Sequence, residues 1–468
     1  MHTIQRLWVC ILLMLFVHHT TSPQKLIKSL IIHNNRITYN AADALHKSYL
    51  REAFFVAYPP NLPLHNVPES ILTIPFLTSI MPIVWLSGNT YAIDTMDEDL
   101  YYTLERIHKV FKIFYPSASW DGQLIPDHLI KNHINVMQTD PPMAVLFSHG
   151  LDAVYTSLRN HEKHQLLVTV WGSDVRISQK SLWHKVLKTC RNYAIMHDYD
   201  HTWIQSNFML FAQQDALVAK CPDIQTWWGS TSQDLGYCGL TAPLLYHKGI
   251  NTLAMAATNT FTMPYPYGSH PLIANNLNFC GIKVHHDHPA TRTEKIHFIS
   301  AYCQNLQESP PFLRVCWGEK EAKNCSRCEK CWRTIISLLL ADQDPQQYGF
   351  DYSAHKAAFI AQTMIPRPYS LHGVHAWLWK IIQQEAQQWL DNHTQDQQTP
   401  MNNLCSQIIA SNFQARNDRF YSLEYTALLQ DLWQKSMADE LTDEDLDHAC
   451  LCVRSWNQKT QKNDRSMA

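Results

Sequence analysis

The sequence predicts an α/β fold, in which crossover helices join the strands of a mostly parallel β-sheet. Short apolar or β-branched runs alternate with helical patterns through residues 143–342, and such alternation is typical of parallel sheets. The apolar runs are MAVLF, LLVTVWG, TWIQS and NTLAMAAT. Ligands of such sheets bind beyond the carboxyl ends of the strands, so we expect a site there.

Further blocks flank this α/β block on both sides. Residues 25–142 form an N-terminal α+β block with strand-like pieces, RITYN and AFFVAYPP, and the helical run DTMDEDLYYTLERIHKVFKIFY. Thr95 and Glu98 fit a capping box at the start of that run. Residues 343–468 contain helical runs such as HAWLWKIIQQEAQQWL and SLEYTALLQDLWQKSMADEL. We therefore expect a helical C-terminal block.

The composition excludes several classes of protein. The chain has 468 residues, of which 46% are hydrophobic and 17% charged, as in a globular protein rather than a disordered one. A net charge of -3 gives no bulk attraction to nucleic acid, so no nucleic-acid partner is expected. No apolar run is long enough for a transmembrane span.

Residues 1–22 resemble a secretory signal peptide. One arginine precedes an apolar run from Leu7 to Val17, and a polar stretch follows it. A membrane-proximal hook and an extension upstream of the true start are the alternative interpretations.

Four cysteines lie within sixteen residues, with the spacing C-x8-C-x2-C-x2-C. Two consecutive x2 gaps turn the chain so that the sulfur atoms converge, and four thiolates suit a closed, structural zinc site. An iron–sulfur cluster and disulfides are the alternatives. Arg327, Lys330 and Arg333 would offset part of the thiolate charge. The candidate ligands are Cys316, Cys325, Cys328 and Cys331.

The stretch MAVLFSHGLDAVYTSLRNHE predicts a strand that ends at Phe147, a tight loop, and a helix that starts near Leu151. Backbone N–H groups at the start of a helix form a common phosphate site. The alternative is an ordinary β–α turn, in which Asp152 interacts favourably with the helix dipole.

These two motifs together resemble the ATP-pyrophosphatase (PP-loop) superfamily, and within it the 7-cyano-7-deazaguanine synthase family of queuosine biosynthesis. That family has the same cysteine spacing, and its T-K-x-E helix resembles TRTEKIHFISAY at 291–302. The resemblance covers residues 143–342 and implies an adenine nucleotide alpha-hydrolase-like fold. His149 stands where the superfamily has glycine, and Ala153 where it has serine. The residues that match its S-G-G-x-D-S signature are Ser148, His149, Gly150, Leu151, Asp152 and Ala153.

The resemblance implies an ATP-dependent ligase or amidotransferase that uses ATP with magnesium beside a structural zinc. The loop would bind the phosphates, a small-molecule or peptide acceptor would be adenylated, and pyrophosphate would be released. Asp152 is the expected catalytic residue, holding the loop or magnesium. Gly172 and Asp174, in VWGSD, are expected nucleotide contacts. Arg292 and Lys295 would meet phosphate or an acidic substrate, or lie on a solvated helix face. The use of ATP implies a cytoplasmic location.

Two other functions stay open at this point. One is a catalytically inactive, zinc-braced scaffold that binds a partner through the added terminal blocks. The other is a secreted binding protein with disulfides in place of zinc. A further stretch, YPYGSHP, places Gly268 and Ser269 either along the same cleft or in a proline-rich turn.

Overall fold

The computed structural model contains two β-sheets with helices packed against them. The segment 1–22 that resembles a signal peptide lies outside the described residues. The structure describes residues 23–136, 140–258, 260–261, 264–316, 322–353, 374–393, 399–411 and 423–467.

The strands form one nine-stranded sheet, in the order β11-β12-β10-β7-β8-β9-β4-β3-β2, and one three-stranded sheet, in the order β1-β5-β6. Their bounds are β1 (Gln24–Lys25), β2 (Ile27–His33), β3 (Arg36–Ala41), β4 (Phe54–Ala57), β5 (Thr90–Asp97), β6 (Gln123–Ile130), β7 (Met143–Leu146), β8 (Gln165–Trp171), β9 (Asp200–Ser206), β10 (Thr252–Met255), β11 (Asn278–Phe279) and β12 (Ile282–His286).

The large sheet is mixed rather than mostly parallel. The adjacent strands β12, β10, β7, β8 and β9 are all parallel. The strands β11, β4, β3 and β2 pair antiparallel with their neighbours. The sheet departs from the mostly parallel arrangement that the sequence predicts because β4, from the N-terminal block, pairs antiparallel with β9 through Val56 and Ser206. The N-terminal block thus extends the same sheet, and the predicted boundary at residue 142 does not separate two sheets. The four strands predicted in the α/β block are confirmed.

The described helices are α1 (Asp43–Tyr49), α2 (Glu69–Leu72), α3 (Ile74–Ser87), α4 (Glu98–Phe114), α5 (Leu151–Arg159), α6 (Lys180–Met196), α7 (Gln214–Lys220), α8 (Gln233–Leu240), α9 (Ala242–Lys248), α10 (Pro271–Ala274), α11 (Arg292–Leu306), α12 (Glu329–Leu340), α13 (Val374–Asn392), α14 (Pro400–Ala410), α15 (Leu423–Met437) and α16 (Asp443–Met467). Within the described ranges, none of them is both long enough and apolar enough to cross a membrane.

Side chains at the helix starts explain where several of these helices begin. The capping box predicted from Thr95 and Glu98 is wrong, because Thr95 lies in β5 and the carboxylate of Asp97 accepts from the Leu100 N–H at 2.9 Å. A complete capping box starts α11 instead, between Thr291 and Glu294. The two helical runs predicted in the C-terminal block are confirmed as α13 and α15.

The parallel strands β7, β8 and β10 are buried on both faces, so a ligand can reach them only at their ends. Along β7, Ala144 and Leu146 pack into one core with α3 and α4, whereas Val145 packs into the opposite core with α5 and α11. The C-terminal block closes over the first core, where Tyr425 on α15 donates to the Ile113 carbonyl at 3.2 Å. Helices therefore cover both faces of these strands, and their carboxyl ends open at one edge.

Candidate functional site

A cleft of about 260 Å³ lies at the carboxyl ends of the parallel strands β7, β8 and β10. Ser148 and Gly150 line it after β7, Asp174 lines it after β8, and Thr258 lines it after β10. This is the edge of a parallel sheet at which ligands are expected. The loop predicted to bind phosphate therefore forms one wall of a cleft.

The loop after β7 leads directly into a helix whose first turn faces this cleft. Gly150 occupies the N-cap position of α5, and no side chain caps the helix. The next three residues, Leu151, Asp152 and Ala153, line the cleft. The first N–H groups of a helix have no partner within the helix, so an uncapped start favours an anion.

His149 is the one loop residue that does not line the cleft. Its φ of 61° lies in the left-handed region that favours glycine. The imidazole is buried between Phe147, Tyr193 and Phe312. Burial lowers the pKa of His149 to about 4, so the ring is neutral at pH 7. The prediction of a nucleotide contact from this side chain therefore does not fit the geometry.

Gly172 has a structural role in the turn that follows β8. Its N–H donates to the Val175 carbonyl at 3.0 Å, and its φ is 107°. A β-carbon at this position would overlap the carbonyl oxygen of Ser206 on the neighbouring strand β9. Gly172 does not line the cleft, but Asp174 does. Of the two nucleotide contacts predicted in VWGSD, the cleft contains only Asp174.

We expect the Gly172→Ala substitution to lower the free energy of unfolding by at least about 2 kcal/mol, because backbone strain and atomic overlap act together. Gly88→Ala is the matched control, since Gly88 also has a positive φ, 72°, but an added β-carbon meets no atom within 4 Å. The Gly88→Ala control should lower the free energy of unfolding by about 1 kcal/mol. Urea denaturation measures both values, and equal losses would contradict the proposed overlap with Ser206.

The charged side chains that line the cleft are mostly basic. Within the described residues, four basic side chains and two carboxylates line the cleft. Arg333 is paired with Glu329 at 2.7 Å, and the remaining balance still favours anions. Burial lowers the pKa of Arg292 to about 10, which leaves its guanidinium charged at pH 7. The basic residues are Arg292, Arg314, Lys330 and Arg333, and the acidic residues are Asp152 and Asp174.

Asp152 is held by two cations from the first turn of α11. Its carboxylate accepts from the Lys295 ammonium at 2.6 Å and lies 3.8 Å from the Arg292 guanidinium. Lys295 is 2% exposed and also donates to the Ala257 carbonyl at 2.6 Å. Burial alone would raise the pKa of Asp152, but these two charges outweigh it and hold the pKa well below its usual range. The alternative of a solvated helix face for Arg292 and Lys295 is therefore wrong.

The four cysteines of the C-x8-C-x2-C-x2-C motif converge on one point. Their sulfur atoms all lie within 4.8 Å of one another. The Cys316 and Cys328 sulfurs are 3.9 Å apart, and the Cys325 and Cys331 sulfurs are 3.8 Å apart. Four thiolates around one zinc ion, at ~2.3 Å and tetrahedral angles, lie ~3.8 Å from each other. A disulfide needs ~2 Å, so none joins these four residues.

Local geometry supports metal binding by these sulfurs. The sulfur of Cys325 accepts from the N–H groups of Arg327 at 3.4 Å and Cys328 at 3.2 Å. Ser326, which follows Cys325, has a φ of 52°. The hydrogen bond between Cys328 and Cys331 lowers the pKa of Cys328 and raises that of Cys331, and burial raises the pKa of Cys325. The group can hold one metal ion. An iron–sulfur cluster would divide the four cysteines among two or more irons and would spread the sulfurs further apart.

Several cleft residues carry no local signal in the sequence. Trp228 belongs to a π-helical turn, Trp228–Ser232, and Gln233 and Tyr237 lie on α8. His375, at the start of α13, lines the cleft with its Nδ1 3.5 Å from Glu329. Only the tertiary structure brings these residues together, because they come from sequence regions without strand–loop–helix patterning.

The YPYGSHP stretch meets the cleft through Tyr267 rather than through Gly268 or Ser269. Ser269 is fully buried, and the Gly268 N–H donates to the Gly229 carbonyl at 2.9 Å. The ring of His270 caps α10 by accepting from the Leu272 N–H at 3.1 Å. Most of this motif therefore holds the fold together behind the cleft wall.

Comparison with known proteins gives no significant match to a family model, a curated protein or a solved structure. The resemblance to ATP-pyrophosphatases thus rests on the loop, the TRTEKIHFISAY stretch and the cysteine motif alone.

Proposed function

We propose that this protein is an ATP-dependent ligase or amidotransferase of the ATP-pyrophosphatase type, which adenylates an acceptor and releases pyrophosphate. One observation carries the proposal. An uncapped helix start, at Gly150 and Leu151, opens into a cleft with a surplus of basic side chains at the carboxyl edge of parallel strands. These are the features that bind phosphate groups.

In this proposal, different residues of the cleft bind different parts of the nucleotide and its magnesium ion. The first N–H groups of α5 bind phosphate oxygens, and Arg292 offsets the charge that develops as pyrophosphate leaves. Magnesium would enter bound to the phosphates of ATP, because this ion usually has only one or two ligands from the protein. Asp174 is the exposed carboxylate that suits it. Asp152 orients Lys295 and Arg292 rather than acting alone.

The proposed zinc has a structural role. Four sulfurs close the coordination sphere and leave no position for a water molecule or a substrate. The ion would fix the residues just before Cys316 and those around Cys331. The residues of these stretches that line the cleft are Arg314, Val315, Lys330 and Arg333.

Calorimetry with ATP and magnesium tests the proposal on protein whose metal content has been measured. We expect a micromolar dissociation constant, and a loss of at least tenfold for Arg292→Ala, because a buried charge-assisted contact contributes about 1.5–3 kcal/mol. The matched control is Arg191→Ala, since Arg191 is an exposed arginine that does not line the cleft. A folded protein that binds no ATP at millimolar concentration would rule the proposal out.

The alternative function is a catalytically inactive scaffold that binds a partner. Three features favour it: the ion pairs of Asp152, the buried ring of His149, and the absence of a hydroxyl at Ala153. Asp152→Ala separates the two functions in the same calorimetric experiment. A loss of ATP affinity supports the ligase. A gain would mean that Asp152 only neutralises Lys295 and Arg292.

A further inference from the structure

Two segments of the chain carry both candidate metal ligands and most of the cleft's basic side chains. In the first, Arg314 precedes Cys316 by two residues. In the second, α12 begins directly after Cys328, and Lys330 and Arg333 lie on its first turns. Three of the four basic residues that line the described cleft thus lie within two residues of a cysteine of the metal group.

The start of α12 depends on the sulfur atoms. Cys328 is its N-cap residue, and no side chain caps the helix. The contacts that hold this turn run to the Cys325 sulfur, which accepts from the Cys328 N–H at 3.2 Å. Ionised thiolates this close together repel one another unless a cation lies between them. Metal binding would therefore hold Lys330 and Arg333 in position at the cleft.

The cysteine loop has other anchors, so loss of the metal should loosen it without unfolding the protein. The Asn324 side chain donates to the Leu313 carbonyl at 2.6 Å and accepts from the Val315 N–H at 3.0 Å. The Ser326 hydroxyl accepts from the Asp351 N–H at 2.9 Å. These bonds tie the loop to the domain whether or not a metal is bound.

We infer that metal occupancy of the four-cysteine group sets the affinity of the cleft for phosphate-bearing ligands, through Arg314, Lys330 and Arg333. This inference rests on the proposed function, because it assumes that the cleft binds anions. It assigns to the metal a regulatory effect in addition to bracing the fold.

Calorimetry with inorganic pyrophosphate tests the inference on the full chain, with zinc bound and after removal by a chelator. We expect at least tenfold weaker binding without the metal, restored by stoichiometric zinc, with an unchanged far-UV circular dichroism spectrum. Equal affinities in the two folded forms would overturn the inference and leave the proposed function standing. A zinc-loaded protein that binds no pyrophosphate would overturn both.

A second measurement decides the question if the metal-free protein does not fold. Coupling between two ligands is reciprocal, so anion binding must raise the affinity for zinc by the same factor. We expect inorganic phosphate to reduce zinc loss to a competing chelator in the wild type, but not in Lys330→Ala. Lys323→Ala is the matched control, because Lys323 is an exposed lysine of the same segment outside the cleft, and it should behave as the wild type. Zinc loss that phosphate does not change would overturn the inference.

Discussion

The Cys331→Ser substitution should abolish metal binding and lower the free energy of unfolding by about 3–5 kcal/mol. Cys331 is fully buried, and its sulfur is one of four that converge on a single point. Structural zinc contributes about 10–16 kcal/mol to the folding of small zinc domains, so the loss of one ligand removes a large share of that stabilisation. The measurements are the zinc content per chain and urea denaturation.

A chelator distinguishes loss of the metal from loss of packing. The chelator should lower the stability of the wild type by most of the loss seen in Cys331→Ser, and it should leave that variant unchanged. The matched control is Cys190→Ser, since Cys190 is equally buried but lies outside the metal group. That control should keep its metal and lose about 1–2 kcal/mol from the buried hydroxyl. Full metal content in Cys331→Ser would contradict the proposed metal group.

The Lys295→Met substitution should destabilise the protein by about 3 kcal/mol, because among the described residues it leaves the Asp152 carboxylate with only the more distant Arg292 as an ion-pair partner. It also removes the hydrogen bond to the Ala257 carbonyl. The double variant Lys295→Met/Asp152→Asn should recover part of this loss, since it buries no unpaired charge. Lys188→Met, at an exposed lysine on α6, should change the stability by less than about 0.5 kcal/mol.

The same ion pair predicts how stability depends on pH. Its neighbours hold the pKa of folded Asp152 below the usual value of 3.8. The unfolded chain therefore binds this proton first as the pH falls. The stabilisation is fully present above about pH 4 and is lost as the pH falls through the folded pKa. Urea denaturation at several pH values should give a smaller loss between pH 5 and pH 3 for Lys295→Met than for the wild type. Parallel curves would contradict this account.

Local patterns in the sequence determined most of the elements of the α/β block. Alternating apolar runs located β7, β8, β9 and β10, because a buried parallel strand needs a short, continuous apolar stretch. The cysteine spacing located a four-cysteine group that could hold a metal ion, because two x2 gaps bring the sulfurs close together. The predicted N-cap of α4 is wrong. Thr95 and Asp97 are both cap-forming residues, and only the position at which β5 ends decides between them.

Only the tertiary structure decided the composition of the cleft and the direction of its side chains. The sequence by itself determined the loop between β7 and α5, the α/β alternation and the cysteine group, because each depends on residues a few positions apart. The mixed sheet depends on the pairing of β4 with β9, across more than 140 positions of the chain. The pairing of Asp152 with Lys295, and the presence of Lys330 at the same cleft, likewise depend on the packing of α11 against α5 and of α12 against α11. Such contacts join distant segments, and no local periodicity encodes them.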